Sequence, residues 1–294
     1  MNNQNKKKSI NEYLVNVQQL PTLPIVYLSL QKAMTKSSVS AREISAIVEQ
    51  DQSLTTKLLR VVNSAYYGFP GRISTLSRTI VLLGFNEVKH VALSISVMKA
   101  FQGVNADNGF DIAEFWRHAI GVAVCSGIFA KRIGPSLCAS HEEAFVAGLL
   151  HDIGKIVEDQ FIHDKFSEVV KVSKDEKVSI HEAELQVFGF SHEMTGEFLA
   201  STWNLPKELC AVCGFHHTPL AKKSEKMLFP IISVVHFADI FATVLGLGNG
   251  GDPFVMLPVK ECWNTLGIGI EDLEAIAEEC IATYDDMIQC LMSD

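Results

Sequence analysis

The chain has 294 residues, of which 48% are hydrophobic and 20% are charged. This composition can bury a sizeable core and excludes disorder as the dominant state, and the length predicts about two domains. The formal net charge of −9 argues against broad binding to nucleic acid or to an anionic membrane, because both need a basic surface. A small anionic ligand stays compatible with this charge if a metal ion supplies positive charge locally.

The cysteines and the first residues predict a cytoplasmic protein. Seven cysteines are scattered without a disulfide framework, and the three lysines near the start are not followed by the apolar segment of a secretory signal. The CxxC formed by Cys210 and Cys213 is interpreted as a structural pair on a helix, since no second CxxC accompanies it.

One apolar stretch, residues 230–248, has about the 18 residues that a membrane span needs. However, His236 and Asp239 lie in its middle, and a charged group at mid-bilayer costs several kcal/mol. The stretch is therefore predicted to be a buried helix of a soluble protein that does not associate with membranes.

Apolar residues recur at three- and four-residue steps along almost the whole chain, which predicts an all-α protein. The first half predicts helices in 40–62, with a break at 49–53 and Ser53 capping the second helix, then a loop at 63–72 and helices over 75–83 and 86–101. The second half predicts helices over 112–133, after the caps Ser140 and Ser179, over 191–203, from Pro206, and over 270–292.

The predicted organisation is an N-terminal helical subdomain over 1–105, a second helical subdomain over 106–250, and a C-terminal helical extension over 251–294. We expect the last helix to pack a stripe of Leu273, Ile276 and Ile281 against the second subdomain. The sequence leaves open whether the protein is a monomer or a homodimer.

The histidines are the most informative residues. His151 and Asp152 are adjacent at the end of an apolar helix, where the turning backbone lets both side chains reach one ion. Nitrogen and oxygen ligands of this kind suit divalent transition metals. His118 lies on the core-facing stripe of the helix 112–133.

Three further histidines and a carboxylate lie at related places. His192 begins a predicted helix, His216 and His217 end another, and Asp239 lies inside the apolar stretch 230–248. A buried ionised carboxylate without a partner would be very costly. A metal shared with the histidines would satisfy Asp239 and would explain all of these residues together.

The order of a histidine, an HD pair and a distant aspartate resembles the HD superfamily of metal-dependent phosphohydrolases. The resemblance implies that His118, His151, Asp152 and Asp239 hold one ion. The HD-GYP branch, which cleaves cyclic di-GMP, adds a histidine and an HH pair, and the resemblance implies that His192, His216 and His217 complete a second site.

Two features depart from the HD-GYP pattern. The segment after the HH pair runs HHTPLAKKSEKMLFP, without the Gly-Tyr-Pro loop that shapes the nucleotide pocket. The two-metal enzymes also use a bridging glutamate upstream of the first histidine, and Glu114, the nearest residue to that role, matches poorly by spacing.

The N-terminal half resembles the HDOD family, HD-related output modules of bacterial signalling proteins. The resemblance spans about residues 12–220 and is carried by LPTLP (20–24), EISAIVEQDQSLTTKLLRVVNSAYYG (43–68) and ISTLSRTIVLLGFNEVKHVAL (73–93). Gln52 departs from the proline more common there in the family. The resemblance implies an all-α fold, an HD-domain or phosphodiesterase-like helical bundle with an additional N-terminal helical subdomain.

The resemblance leaves three functions open. The first is a stand-alone bacterial signal-transduction protein that keeps an HD metal site and binds a signalling protein partner or a small phosphorylated ligand. The second is a metal-dependent phosphohydrolase acting on cyclic dinucleotides or nucleotides, in which Lys155 would contact the phosphate. The third is a di-iron redox or oxygen sensor. The implied cofactor is one or two divalent transition-metal ions, with Fe, Mn, Zn and Ni equally compatible.

Overall fold

The structure, a computed structural model, describes residues 22–36, 38–101, 108–134, 139–252 and 254–293. Within these ranges every regular element is a helix, which confirms the all-α prediction. Leu20 and Pro21, which begin the first HDOD-like motif, lie outside the described residues, as does Pro135 after the helix 112–133.

The α-helices of the described residues are numbered in chain order. They are α1 (Ile25–Ala33), α2 (Ala41–Val48), α3 (Gln52–Val62), α4 (Leu76–Leu83), α5 (Phe85–Ala100), α6 (Ile112–Ile133), α7 (His141–Leu150), α8 (Ile153–Phe161), α9 (His163–Glu176), α10 (Ile180–Val187), α11 (His192–Thr202), α12 (Lys207–Phe215), α13 (Phe229–Val244), α14 (Lys260–Leu266) and α15 (Leu273–Met292). Short 3₁₀ turns cover Pro219–Lys222 and Ile270–Asp272.

The chain forms two compact units. The first comprises residues 22–102 together with 274–294, and the second includes residues 103–273. The domain boundaries placed at residues 105 and 250 by the sequence remain predictions.

The expected packing partner of the last helix was wrong, because α15 belongs to the first unit. Its Asp286 accepts a hydrogen bond from the backbone N–H of Ala65 at 2.6 Å, and Lys57 donates to the carbonyl of Leu291 at 3.0 Å. The buried stripe of α15 also differs from the expected one, since Ile281 is 45% exposed. Ile276 is buried as expected, and the other buried residues of α15 are Cys280, Thr283, Tyr284, Met287, Cys290 and Leu291.

Side-chain caps set most of the predicted helix starts. Ser179 and Glu182 form the capping box that begins α10, and Ser140 accepts a hydrogen bond from the backbone of Glu143 at the start of α7. The cap expected at Ser53 was wrong, since Asp51 fills that place and accepts from the N–H of Leu54 at 3.0 Å. Asp51 thus begins α3 at Gln52, two residues earlier than expected.

Helix α6 is the central helix of the second unit. By length and mean hydropathy α6 could cross a membrane. However, 83% of its apolar 18-residue segment is buried within the protein, as in the core helix of a soluble protein. Helices α4 and α5 are long and apolar enough to cross a membrane only if they are counted as one span, and the chain bends by 117° between them. The apolar stretch 230–248 contributes most of α13, which is mostly buried. At 16 residues, α13 is shorter than a typical membrane span.

Candidate metal centre

The predicted ligands converge on one place in the second unit. His118 comes from the second turn of α6, His151 and Asp152 from the turn between α7 and α8, and Asp239 from α13. The remaining ligands are His192, which begins α11, and His216 and His217, which follow α12.

These side chains form two groups that share Asp152. The first contains His118, His151 and Asp152, the second contains Asp152, His192, His216 and His217, and the ligand atoms of each group lie within 4.8 Å of one another. Asp239 joins the first group, because its Oδ1 lies 3.0 Å from His118 Nε2 and 3.8 Å from His151 Nε2. The structure thus brings together every residue that the sequence proposed as a ligand.

The two oxygens of Asp152 face different groups. Oδ1 lies 3.1 Å from His192 Nε2 and 3.2 Å from His216 Nε2, whereas Oδ2 lies 3.3 Å from His151 Nε2. This is the placement of a bridging carboxylate. Glu114, which the sequence considered for that role, instead pairs with Arg117 at 3.3 Å on the surface.

Three of the histidines are held through their other ring nitrogen. The Nδ1–H of His151 donates to the carbonyl of Gly148 at 2.7 Å, and that of His216 donates to Val212 at 3.0 Å. His192 Nδ1 lies 2.7 Å from Glu184 Oε2. Because these partners are acceptors, each Nδ1 carries a proton, and the Nε2 of each ring faces Asp152. Burial lowers the pKa of His192, but the charges of Glu184 and Asp152 outweigh burial and raise this pKa well above its usual value, so a metal ion at His192 Nε2 would replace a proton.

This arrangement fits a divalent cation. The Nε2 lone pairs of His192 and His216 and the Oδ1 of Asp152 repel one another unless a proton or a cation lies between them. Ligands about 2.1 Å from one ion are separated by about 3.0–3.4 Å in octahedral or tetrahedral geometry, and His192 Nε2 and His216 Nε2 are 3.4 Å apart. In addition, Nε2 of His151 and Nε2 of His217 are buried without a hydrogen-bond partner. The residues present therefore fit a metal centre.

The charges around Asp152 keep its carboxylate ionised. Burial raises the pKa of Asp152, but the adjacent His151 and the ammonium group of Lys155 outweigh burial and hold the pKa well below its usual range. Burial likewise opposes ionisation of Asp239, and the hydrogen bond from His118 lowers the pKa of Asp239 below its usual value. Burial and the neighbouring His216 lower the pKa of His217, so its ring stays neutral. Ionised carboxylates and neutral imidazoles are the forms that bind metal.

Lys155 is buried and bound by protein acceptors. Its side chain is 1% exposed, and its ammonium group lies 2.7 Å from Asp152 Oδ2, 3.0 Å from Asp252 Oδ2 and 3.1 Å from the carbonyl of Gly250. An ammonium group has three donors, and these three acceptors use them all. The expected phosphate contact is thus not supported by this arrangement, since a phosphate would have to displace one of them.

Two buried glutamates that the sequence analysis missed hold the second group in place. Glu184 Oε2 contacts both Nδ1 and the backbone N–H of His192, the latter at 2.8 Å. Glu193 Oε1 accepts from the backbone N–H of His217 at 2.8 Å, and its Oε2 lies 3.2 Å from His181 Nε2. These carboxylates orient the ligands and belong to neither ligand group themselves. A sequence signal existed for Glu184, which shares a buried helical stripe with Ile180 and Phe188.

Replacing Glu184 with glutamine is expected to lower metal affinity by about 10–100-fold, the usual effect of removing a carboxylate that orients a metal-binding histidine. The amide can offer its NH₂ group to His192 in place of an acceptor, which would turn the ring or change its tautomer. Metal titration of chelator-treated protein measures the effect. Glu176→Gln, an exposed change in the same unit, is the control, and equal affinities for the two variants would contradict the prediction.

Gly154 lets α8 approach α11 closely. A Cβ at this position would collide with the carbonyl of His192 and would lie 2.9 Å from the backbone nitrogen of Gly196. The glycine that follows the HD pair therefore sets the distance between Asp152 and His192.

A cavity of about 220 Å³ opens beside the ligands. His118, His217 and Asp239 lie in its wall together with Ile240, Thr243, Gly248, Asn249, Gly250, Asp252, Phe254 and Met256. This volume is below the roughly 300–1,000 Å³ of most small-molecule sites, so the cavity accommodates a small ligand or one end of a larger ligand. Among the described residues that line it there is no lysine or arginine. A bound cation would therefore be the source of attraction for an anion.

The glycine-rich segment 248–251 packs against His118. A Cβ at Gly250 would lie 2.8 Å from Cδ2 and 3.1 Å from Nε2 of that ring. We expect Gly250→Ala to displace His118 and to weaken metal binding about tenfold or more, although no ligand is changed. Metal titration tests this expectation, and circular dichroism of the metal-free variant shows whether the fold persists. Unaltered affinity would mean that His118 does not depend on this contact.

The CxxC pair has the character of a structural element. Cys213 is buried and its thiol lies 3.3 Å from the carbonyl of Leu150, while Cys210 lies one turn earlier on α12. Burial raises the pKa of both thiols. Both therefore stay protonated near neutral pH.

Comparison with solved structures supports the fold. An HDOD domain protein of unknown function from Geobacter sulfurreducens is 25% identical and superposes with a TM-score of 0.78 over 98% of both chains. A candidate phosphohydrolase from Shewanella amazonensis SB2B is 21% identical, with a TM-score of 0.71 over 95% of this chain and 97% of that one, which shows a shared fold alone.

The curated relatives are longer proteins. An uncharacterized protein from Treponema pallidum is 25% identical over 243 residues, which are 82% of this chain and 45% of the relative. The uncharacterized protein YuxH from Bacillus subtilis is 30% identical over 63 residues, which are 21% of this chain and 15% of the relative. The chain thus spans less than half the length of the curated relatives it matches.

The family model for the HDOD domain matches residues 20–219, about two thirds of the chain. This range contains six of the proposed ligands, whereas Asp239 and also Asp252, the partner of Lys155, lie beyond it. The chain belongs to the HDOD family.

Proposed function

We propose that this protein is a regulatory HDOD protein of bacterial signal transduction that holds one or two divalent transition-metal ions and acts by binding a signalling partner or a small phosphorylated ligand. The observation that carries the metal site is the convergence of three Nδ1-anchored histidines on the shared carboxylate of Asp152. His118, His151, Asp152 and Asp239 would hold one ion, and Asp152 with His192, His216 and His217 would hold a second.

The placement of Lys155 favours binding over catalysis. The only cation at the ligand cluster among the described residues is engaged by Asp152, Asp252 and Gly250. The cavity wall supplies no positive side chain of its own. A phosphate ligand would thus depend on metal charge both for attraction and for orientation.

A metal-dependent phosphohydrolase is the second candidate, favoured by one observation. His118, His217 and Asp239 border the cavity, so a ligand there can reach the metal centre directly. In such a site a bound metal lowers the pKa of water and supplies a hydroxide nucleophile near neutral pH.

Two measurements separate these functions. Protein purified without chelator should carry close to one or two equivalents of Fe, Mn, Zn or Ni by elemental analysis, and less than about 0.2 equivalents would refute the metal site. Metal-loaded protein should then show no turnover of cyclic dinucleotides, nucleotides or generic phosphodiesters with Mn, Fe or Ni. Turnover that Asp152→Asn abolishes would establish the phosphohydrolase instead.

The regulatory role needs a readout in the cell. We expect Asp152→Asn, expressed from the native locus, to reproduce the phenotype of a deletion even though no turnover is lost. A variant with wild-type output would show that the metal site does not serve signalling.

A further inference from the structure

An open cleft lies in the first unit, between α3, the loop that follows it and α15. Its volume is about 590 Å³, within the range of roughly 300–1,000 Å³ typical of small-molecule sites. The described residues that line it are Thr56, Leu59, Arg60, Asn63, Arg72, Ile73, Ser74 and Cys290.

One wall of the cleft is fixed by Asn63. Its amide donates to the carbonyls of Leu59 at 2.6 Å and Ile73 at 2.8 Å, and its oxygen accepts from the N–H of Ile73 at 2.7 Å. These bonds close the loop 63–73 onto the end of α3. They hold Arg72 and Ser74, which flank Ile73, on the same cleft as Arg60.

The lining of the cleft carries two positive charges. Arg60 and Arg72 contribute two guanidinium groups, and none of the lining residues is a carboxylate, although the chain as a whole has a net charge of −9. A carboxylate that acts on the lining is that of Asp286, one turn before Cys290 on α15, and the backbone N–H of Ala65 donates to it. Arg60 Nη1 also donates to the carbonyl of Ser293 at 3.5 Å, which keeps its side chain beside α15. Guanidinium groups bind phosphate oxygens in a bidentate manner.

The cleft also has an apolar side. Leu59, Ile73 and Cys290 line it beside the arginines. Burial raises the pKa of the Cys290 thiol to about 11, so the thiol is neutral near pH 7 and adds no negative charge to oppose an anion. A ligand that suits both sides carries an anionic group and an organic portion.

We propose that this cleft binds a small organic phosphate of nucleotide size, with its phosphate held by Arg60 and Arg72 and its organic portion against Leu59 and Ile73. The site is made entirely of residues of the first unit, whereas the ligands of the metal centre belong to the second. The proposal therefore does not rest on the proposed function.

Calorimetric titration of the full chain, after removal of metal with chelator, tests the proposal with pyrophosphate, AMP and GMP as probes. We expect at least one probe to bind, Arg60→Gln and Arg72→Gln each to lower its affinity at least tenfold, and the double variant to abolish binding. Arg78→Gln removes the same charge from an exposed residue of the same unit outside the cleft and should bind like the wild type. Circular dichroism confirms that the variants are folded.

Asp152→Asn, titrated beside the wild type and the arginine variants without chelator treatment, distinguishes the two sites. This variant should bind the probe with wild-type affinity, because the metal centre takes no part. The proposal is overturned if no probe binds at millimolar concentration, or if the Arg60 and Arg72 variants bind as tightly as the wild type. It is equally overturned if Asp152→Asn loses the probe while the arginine variants retain it, a result that would place the phosphate at the metal centre.

Discussion

Asp152→Asn is expected to remove bound metal from both ligand groups, lowering the content from stoichiometric to below about 0.2 equivalents. Asp152 is the one residue common to both groups, with Oδ1 facing His192 and His216 and Oδ2 facing His151. Asparagine keeps the shape but removes the negative charge, and its NH₂ group would point at ring nitrogens. Elemental analysis and metal titration of chelator-treated protein measure the loss.

Two further variants make this result specific. Asp175→Asn changes an exposed aspartate of the same unit in the same way and should keep all of its metal. His216→Gln alters only the second group and leaves the pair of Asp152 and Lys155 intact. If two ions bind, His216→Gln should retain about one equivalent. Full metal content in Asp152→Asn would show that the ion is held elsewhere.

Lys155→Met is expected to destabilise the metal-free protein by about 3–5 kcal/mol, the usual effect of removing one partner from a buried ion pair. The ammonium group lies between the carboxylates of Asp152 and Asp252, and its loss leaves two negative charges together in a site where Lys155 is 1% exposed. The pKa of Lys155 is raised, because attraction to Asp152 and Asp252 outweighs the effect of burial, so the group is fully charged at neutral pH.

Chemical denaturation of chelator-treated protein measures this change. Lys171→Met removes an exposed lysine from α9 and should shift stability little. Because a divalent cation can replace the missing positive charge beside Asp152, added Mn²⁺ should restore more stability to Lys155→Met than it adds to the wild type. A variant as stable as the wild type without metal would show that the carboxylates do not depend on Lys155.

The sequence predicted the positions of helices better than their partners. Periodicity and caps placed α6 at 112–133, because its apolar stripe and its terminal residues are local signals. The same periodicity could not tell which unit α15 packs against, since a buried face fits any apolar surface of suitable shape. The stripe of α15 also runs through Cys280 and Met287, which a search for leucine and isoleucine passes over.

The metal centre was likewise predicted only in part. Histidines and aspartates in a known order identified the ligands, but the residues that orient them have no spacing rule. Glu193 reaches His217 across 24 residues, and Asp252 reaches Lys155 across 97. Such contacts depend on how α11 and the glycine-rich segment 248–251 are placed in three dimensions, which a single sequence does not encode locally.

The close approach at Gly154 gives a criterion for reading other HDOD sequences. A relative can retain every histidine and aspartate of the centre and still lose it if a larger residue follows the HD pair at this position, because α8 and α11 would be forced apart. We therefore expect a glycine two places after the HD aspartate in HDOD members that bind metal as this site would.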